Sequence, residues 1–178
     1  MQQKDDLSEA MSYEYHLLLQ SYKEFAYFIL KNKESEKGEI KIHLYNSYAK
    51  ILHHLYEFLK ACVAKEVSKT RSEDNSVVAR YIALELEKIL RQKGYPVDQN
   101  KLSAFAEDLR VYRNKVYGHV LKERFEKFPL TEFYQKHHVF IALITQSTDN
   151  WWNSKVEKLA ELNAVQEFSE MLTFGQRS

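Results

Sequence analysis

The chain has 178 residues, enough for one domain with a sizeable core. Its four glycines and two prolines make up about 3% of the sequence, against a usual share of roughly 12%. That scarcity excludes turn-rich sandwiches and barrels, and Gly38, Gly94, Gly118 and Gly175 are too scattered for a phosphate loop or dinucleotide fold. The 26 basic and 25 acidic residues nearly cancel, which excludes a global basic field, and one cysteine excludes a disulfide framework or Cys-rich zinc site. The start, MQQKDDLSEA, has no apolar leader, and no run approaches 18 apolar residues, so the expectation is a cytoplasmic all-helical chain without a membrane partner.

Apolar residues recur every three or four positions through Leu7, Met11, Tyr15, Leu18, Tyr22, Phe25 and Ile29, predicting a first helix that stops near Lys31. A charged loop with Gly38 follows. A second stripe runs through Ile40, Leu44, Tyr48, Ile51, Leu55, Phe58 or Leu59, Cys62 and Val67, until the polar stretch Ser68 to Ser76 interrupts it. A third, shorter helix is predicted from Ser76 to about Gln92, capped by Asn75 or Ser76 and ended by Gly94 with Pro96 behind it. Asp98 is the N-cap of a fourth, from Gln99 toward Tyr117, which Gly118 ends or kinks. Beyond Pro129, Thr131 opens a long fifth helix through Phe133, His137, Phe140, Ile144, Trp151, Val156, Leu159 and Leu162, and a short tail helix runs to Phe174. With no linker and no internal repeat, the expectation is a single bundle of about five main helices spanning residues 1–178.

The run from Leu109 to His119 packs arginine, asparagine, lysine, two tyrosines and a histidine into a few positions. Between Arg110 and Lys127 the six bases Arg110, Arg113, Lys115, Lys122, Arg124 and Lys127 face two acids, Glu123 and Glu126. A local positive excess with interleaved aromatics suits a phosphate backbone with a base stacked beside it. The plain alternative is a solvated helix face.

Arg113, Asn114 and, after five intervening residues, His119 resemble the signature of the HEPN superfamily. These are small helical bundles that include ribonuclease toxins and anti-phage effectors. Their mark is Arg, usually followed by a polar residue, then His after four to six intervening positions. Glu57, in the run Asn46 to Lys60, looks like the glutamate-bearing second helix of several HEPN groups. The resemblance covers most of the chain as architecture and about seven residues as motif.

The resemblance implies a homodimer whose two motifs build one composite cleft, and RNA cleavage through attack of the 2′-OH on the adjacent phosphate, without metal or cofactor. One His119 acts as general base and its symmetry mate as general acid, which an imidazole can do near neutral pH. Arg113 stabilises the pentacoordinate phosphate, and Asn114 orients the His or holds the phosphate. Arg110 and Lys115 contact RNA phosphates, Tyr112 and Tyr117 stack bases, and Glu57 tunes the histidine. For the tyrosines the plain reading is core packing, and for Glu57 a surface carboxylate. On an uninterrupted helix, residues six apart head about 240° apart, so Arg113 and His119 meet only through a break at Gly118, the reach of the Arg side chain, or dimerisation. Val120 and Leu121 follow His119 where one group of HEPN toxins carries a modified Tyr, which argues against that form of control and leaves a different protein antitoxin open. The alternatives are a non-catalytic RNA- or nucleotide-binding module of the same fold, and a helical adaptor.

The pairs His53–His54 and His137–His138 stand at i,i+4 to no other histidine and form no HExxH-like arrangement. They read as amphipathic or core-edge residues, with a zinc site built from both pairs as the sharper alternative. Cys62 reads as an inert buried thiol. Trp151–Trp152 is expected to place one ring in the core and the other at a partner surface.

Overall fold

A computed structural model describes residues 2–32, 37–66, 75–117, 126–151 and 159–174. They form six α-helices: α1 (Gln2–Asn32), α2 (Gly38–Glu66), α3 (Asn75–Gln92), α4 (Gln99–Tyr112), α5 (Leu130–Trp151) and α6 (Asn163–Phe174). A single π turn, Arg113–Tyr117, continues α4. No strand occurs among the described residues, and no helix among them is long and apolar enough to cross a membrane.

The helix boundaries follow local chemistry. Asp98 caps α4 through its carboxylate, which accepts the backbone N–H groups of Asn100 at 3.0 Å and Lys101 at 3.3 Å. After α3, Gly94 takes a φ of +73°, where a Cβ is strained. Its N–H donates to the Arg91 carbonyl at 3.1 Å and that of Tyr95 to the Leu90 carbonyl at 2.9 Å, a Schellman closure. Gly38, expected in a loop, is instead the first residue of α2. Val67, Gly118, Val156 and Trp152 lie outside the described residues. The fifth helix is described to Trp151, and the chain turns at residues 161–162 before α6.

α2 is the central helix. Ile51, Leu52, Leu55, Phe58 and Leu59 are almost wholly excluded from solvent, giving it a buried face broad enough for several neighbours. Each such side chain contributes roughly 1.5–3 kcal/mol by leaving water. α1 lies antiparallel on it: Tyr15 meets Phe58 with ring centroids 5.4 Å apart, and Phe25 meets Tyr48 at 5.0 Å. α5 closes the other end of this pair, where the Tyr48 hydroxyl lies 3.3 Å from His138 Nδ1. α4 packs on α5 through Phe105, Phe133 and Phe140. Cys62 is buried in the stripe of α2. Leu102, Phe105, Leu109, Tyr112 and Val116 carry the buried face of α4 unbroken into the π turn. That anchorage holds the end of α4 against the middle of α2.

Candidate functional site

The π turn positions the site. The Arg113 N–H reaches the carbonyls of both Leu109 and Arg110, and the five residues after Tyr112 then wind wider than an α-helix. Val116 stays in the core, while Arg113 and Tyr117 meet side chains of α2. Single π turns are common at functional sites because they re-aim side chains without ending the helix.

The Arg113 guanidinium is held from three sides. Nη2 donates to Glu57 Oε1 in an ion pair, and Nη1 donates to Asn114 Oδ1 at 2.5 Å. Its guanidinium carbon sits 5.6 Å from the centre of the Tyr56 ring. The paired Arg113 and Glu57 side chains are only 26% and 22% exposed, so water screens them incompletely. The Arg113 Nε is enclosed and has no partner among the described residues.

Two histidines missing from the sequence-level site stand beside this pair. The Tyr117 ring rests against His53, with centroids 4.5 Å apart and planes 32° apart. His54 Nδ1 lies 2.8 Å from Glu14 Oε2 on α1. Eight side chains thus meet where α1, α2 and the π turn converge: Glu14, His53, His54, Tyr56, Glu57, Arg113, Asn114 and Tyr117. The overlooked signal was the spacing of His53 and Glu57, one helical turn apart and so neighbours on one face.

Burial is the main cause that pushes the His53 pKa below 6.5, and the neighbouring charges of His54 and Arg113 push it the same way. Glu57 and Glu14 oppose this more weakly. Burial raises the Tyr56 phenol, against the pull of Arg110 and Arg113. The positive excess counted along the sequence is locally offset. Arg110 ion-pairs with Glu107, whose carboxyl is held below its ordinary pKa by that hydrogen bond, and Arg113 pairs with Glu57. Both carboxylates lie outside the segment in which the charges were counted.

Tyr112 requires a correction. It is 8% exposed and belongs to the core, with its ring 4.9 Å from Phe133 and 5.9 Å from Phe128. Burial pushes its phenol up to about 12, and the ring is engaged in core packing. Tyr117, at 38% exposed, does reach solvent. Lys115 is half-buried on the same turn. His119, Lys122 and Arg124 lie outside the described residues.

The other histidine pair occupies a different part of the bundle and is divided between two partners. His137 Nε2 lies 2.8 Å from Asp108 Oδ2, while His138 takes the Tyr48 hydroxyl and stacks on Tyr134 at 4.3 Å. No group of three or more His, Cys, Asp or Glu among the described residues is placed to hold a metal ion. No family model, curated protein or solved structure matches the chain.

Proposed function

We propose that the protein is a metal-independent endoribonuclease of HEPN type, acting as a homodimer in a toxin or anti-phage role. The observation that carries this reading is the Arg113–Asn114 pair on a π turn, anchored by Glu57 and standing six and five residues before His119 in sequence. A guanidinium fixed in advance supplies positive charge where a phosphorane develops it, without reorganisation during the reaction.

In the proposed reaction, His119 of one protomer takes the 2′-OH proton as the 2′-oxygen bonds to phosphorus. The bond from phosphorus to the 5′-oxygen breaks, and His119 of the second protomer gives its proton to that leaving oxygen. The products are a 2′,3′-cyclic phosphate and a free 5′-OH. Arg113 neutralises the non-bridging oxygens, Asn114 holds the guanidinium in line, and Lys115 and Arg110 extend the phosphate track. Tyr117, exposed and braced by His53, is the stacking tyrosine in this reading. Cytoplasmic location and control by a protein antitoxin belong to the same proposal.

The test is degradation of mixed RNA in EDTA by wild type, His119→Ala and Arg113→Ala. The proposal expects cleavage by wild type and its loss in both variants. Salt-sensitive RNA affinity without cleavage supports the non-catalytic binding module instead.

A further inference from the structure

The face of α2 that meets the π turn holds a group whose ring nitrogens have no role in the mechanism above. His53 and Glu57 are one helical turn apart, and Glu57 is the residue that fixes Arg113. The imidazole of His53 is therefore presented beside the guanidinium, with the Tyr117 ring closing over it at 4.5 Å.

The adjacent imidazoles are not equivalent. His54 has a carboxylate partner in Glu14, at 2.8 Å. His53 has none, and its Nδ1 is enclosed without a hydrogen bond. An enclosed N–H left without an acceptor is a rarer arrangement in proteins than an enclosed lone pair left without a donor. The favoured form of His53 thus carries a lone pair on Nδ1 and its proton on Nε2. The groups facing it are Glu14 on α1, His54 and Glu57 on α2, and Arg113 and Tyr117 on the π turn. Burial, His54 and Arg113 together outweigh the two glutamates and disfavour the imidazolium. At neutral pH the uncharged His53 ring keeps one N–H, and the enclosed Nδ1 places it on Nε2.

We infer that His53 is a phosphate-contacting catalytic residue, donating its Nε2–H to a non-bridging oxygen of the phosphodiester that Arg113 holds. The inference rests on the ribonuclease reading of the same site. A neutral donor suits that place. It stabilises charge gained by the phosphorane, keeps its own proton throughout, and does not compete with the acid and base. Glu14 serves the arrangement by engaging His54, which keeps the second imidazole turned toward α1.

The experiment has two arms on the full chain. In the first, imidazole 15N–1H correlation spectra are recorded while adding a 2′-O-methyl RNA oligonucleotide, which lacks the nucleophile and is not cut. The expected result is an Nε2–H tautomer for free His53, a saturable shift of its resonances on titration, and loss of that shift in Arg113→Ala. A free Nδ1–H tautomer, or His53 resonances that stay still while RNA binds, overturns the inference.

In the second arm, cleavage rates are compared across pH. Removing one preorganised donor costs about 10²–10³ in kcat, so His53→Ala falls by that factor with both limbs of the pH–rate profile unmoved. His53→Gln, which keeps an N–H near the Nε2 position, recovers to within about tenfold of wild type. A folded His53→Gln as slow as His53→Ala, or a limb lost from the profile, overturns the donor role. Wild type that shows the RNA-induced shift but cuts nothing supports the His53 contact and sinks the ribonuclease reading. Wild type that cuts while His53 stays silent does the reverse.

Discussion

Arg113 and Glu57, 56 positions apart in sequence, form an ion pair that ties the π turn to the central helix. The pair is mostly shielded from water, so its loss costs more than that of a surface pair and less than that of a fully buried one. Glu57→Ala should destabilise the fold by about 1–2 kcal/mol, read as a lower urea midpoint. It should also lower cleavage by about tenfold or more, because a guanidinium free to swing no longer waits in the reactive geometry. Glu57→Gln keeps an accepting oxygen and should recover part of both losses. Equal urea midpoints for wild type and Glu57→Ala would contradict this anchoring.

Acidification should weaken the fold through two histidines. His53 and His138 both have folded-state pKa values below the ordinary 6.5, mainly because burial disfavours their charged forms. The unfolded chain therefore binds more protons than the folded one just below that value. The stability these residues contribute is full above pH 6.5 and is lost as pH falls from there through the lowered folded values. Thermal midpoints measured from about pH 8 to about pH 5 should decline. The decline should be shallower in a His53→Gln/His138→Gln variant, and a midpoint that rises on acidification would contradict the assignment.

The two tyrosines of the motif should behave oppositely. Tyr112→Ala removes a ring packed against Phe128 and Phe133 and should cost about 3–5 kcal/mol. Tyr112→Phe should be nearly silent, because the hydroxyl makes only a 3.5 Å contact with the Pro129 carbonyl. Tyr117→Ala should leave stability within about 1 kcal/mol, since its ring is partly exposed, yet weaken RNA binding by about 1–3 kcal/mol if it stacks a base. Urea titration and fluorescence anisotropy with labelled RNA separate the two effects.

Gly94→Ala tests the end of α3. A Cβ there meets nothing within 4 Å, so the cost is that of the backbone at a φ of +73° alone. A loss of about 1–2 kcal/mol is expected, measurable by chemical denaturation, with no change in RNA affinity.

What the sequence revealed is what local chemistry determines. The stripes of α1 and α2, the Asp98 cap and the Gly94 stop depend on residues a few positions apart, and they were readable from those positions. The π turn was not. A run of regular apolar spacing through Leu109, Tyr112 and Val116 gives no sign of where the helix widens. The charge count over Arg110 to Lys127 misled for a related reason. Glu107 precedes the counted segment by one turn of helix, and Glu57 reaches it only through the tertiary fold. The adjacency of His53 and His54 hides the informative neighbour of His53, which is the carboxylate of Glu57 one turn later on α2.

The most direct measurement is the chemistry of the product ends. RNA incubated with wild-type protein in EDTA should yield fragments ending in 2′,3′-cyclic phosphate and beginning with 5′-OH, identified by mass spectrometry. His119→Ala and Arg113→Ala should yield none. Fragments bearing 5′-phosphates, or cyclic phosphates formed equally by the two variants, would contradict the proposed mechanism.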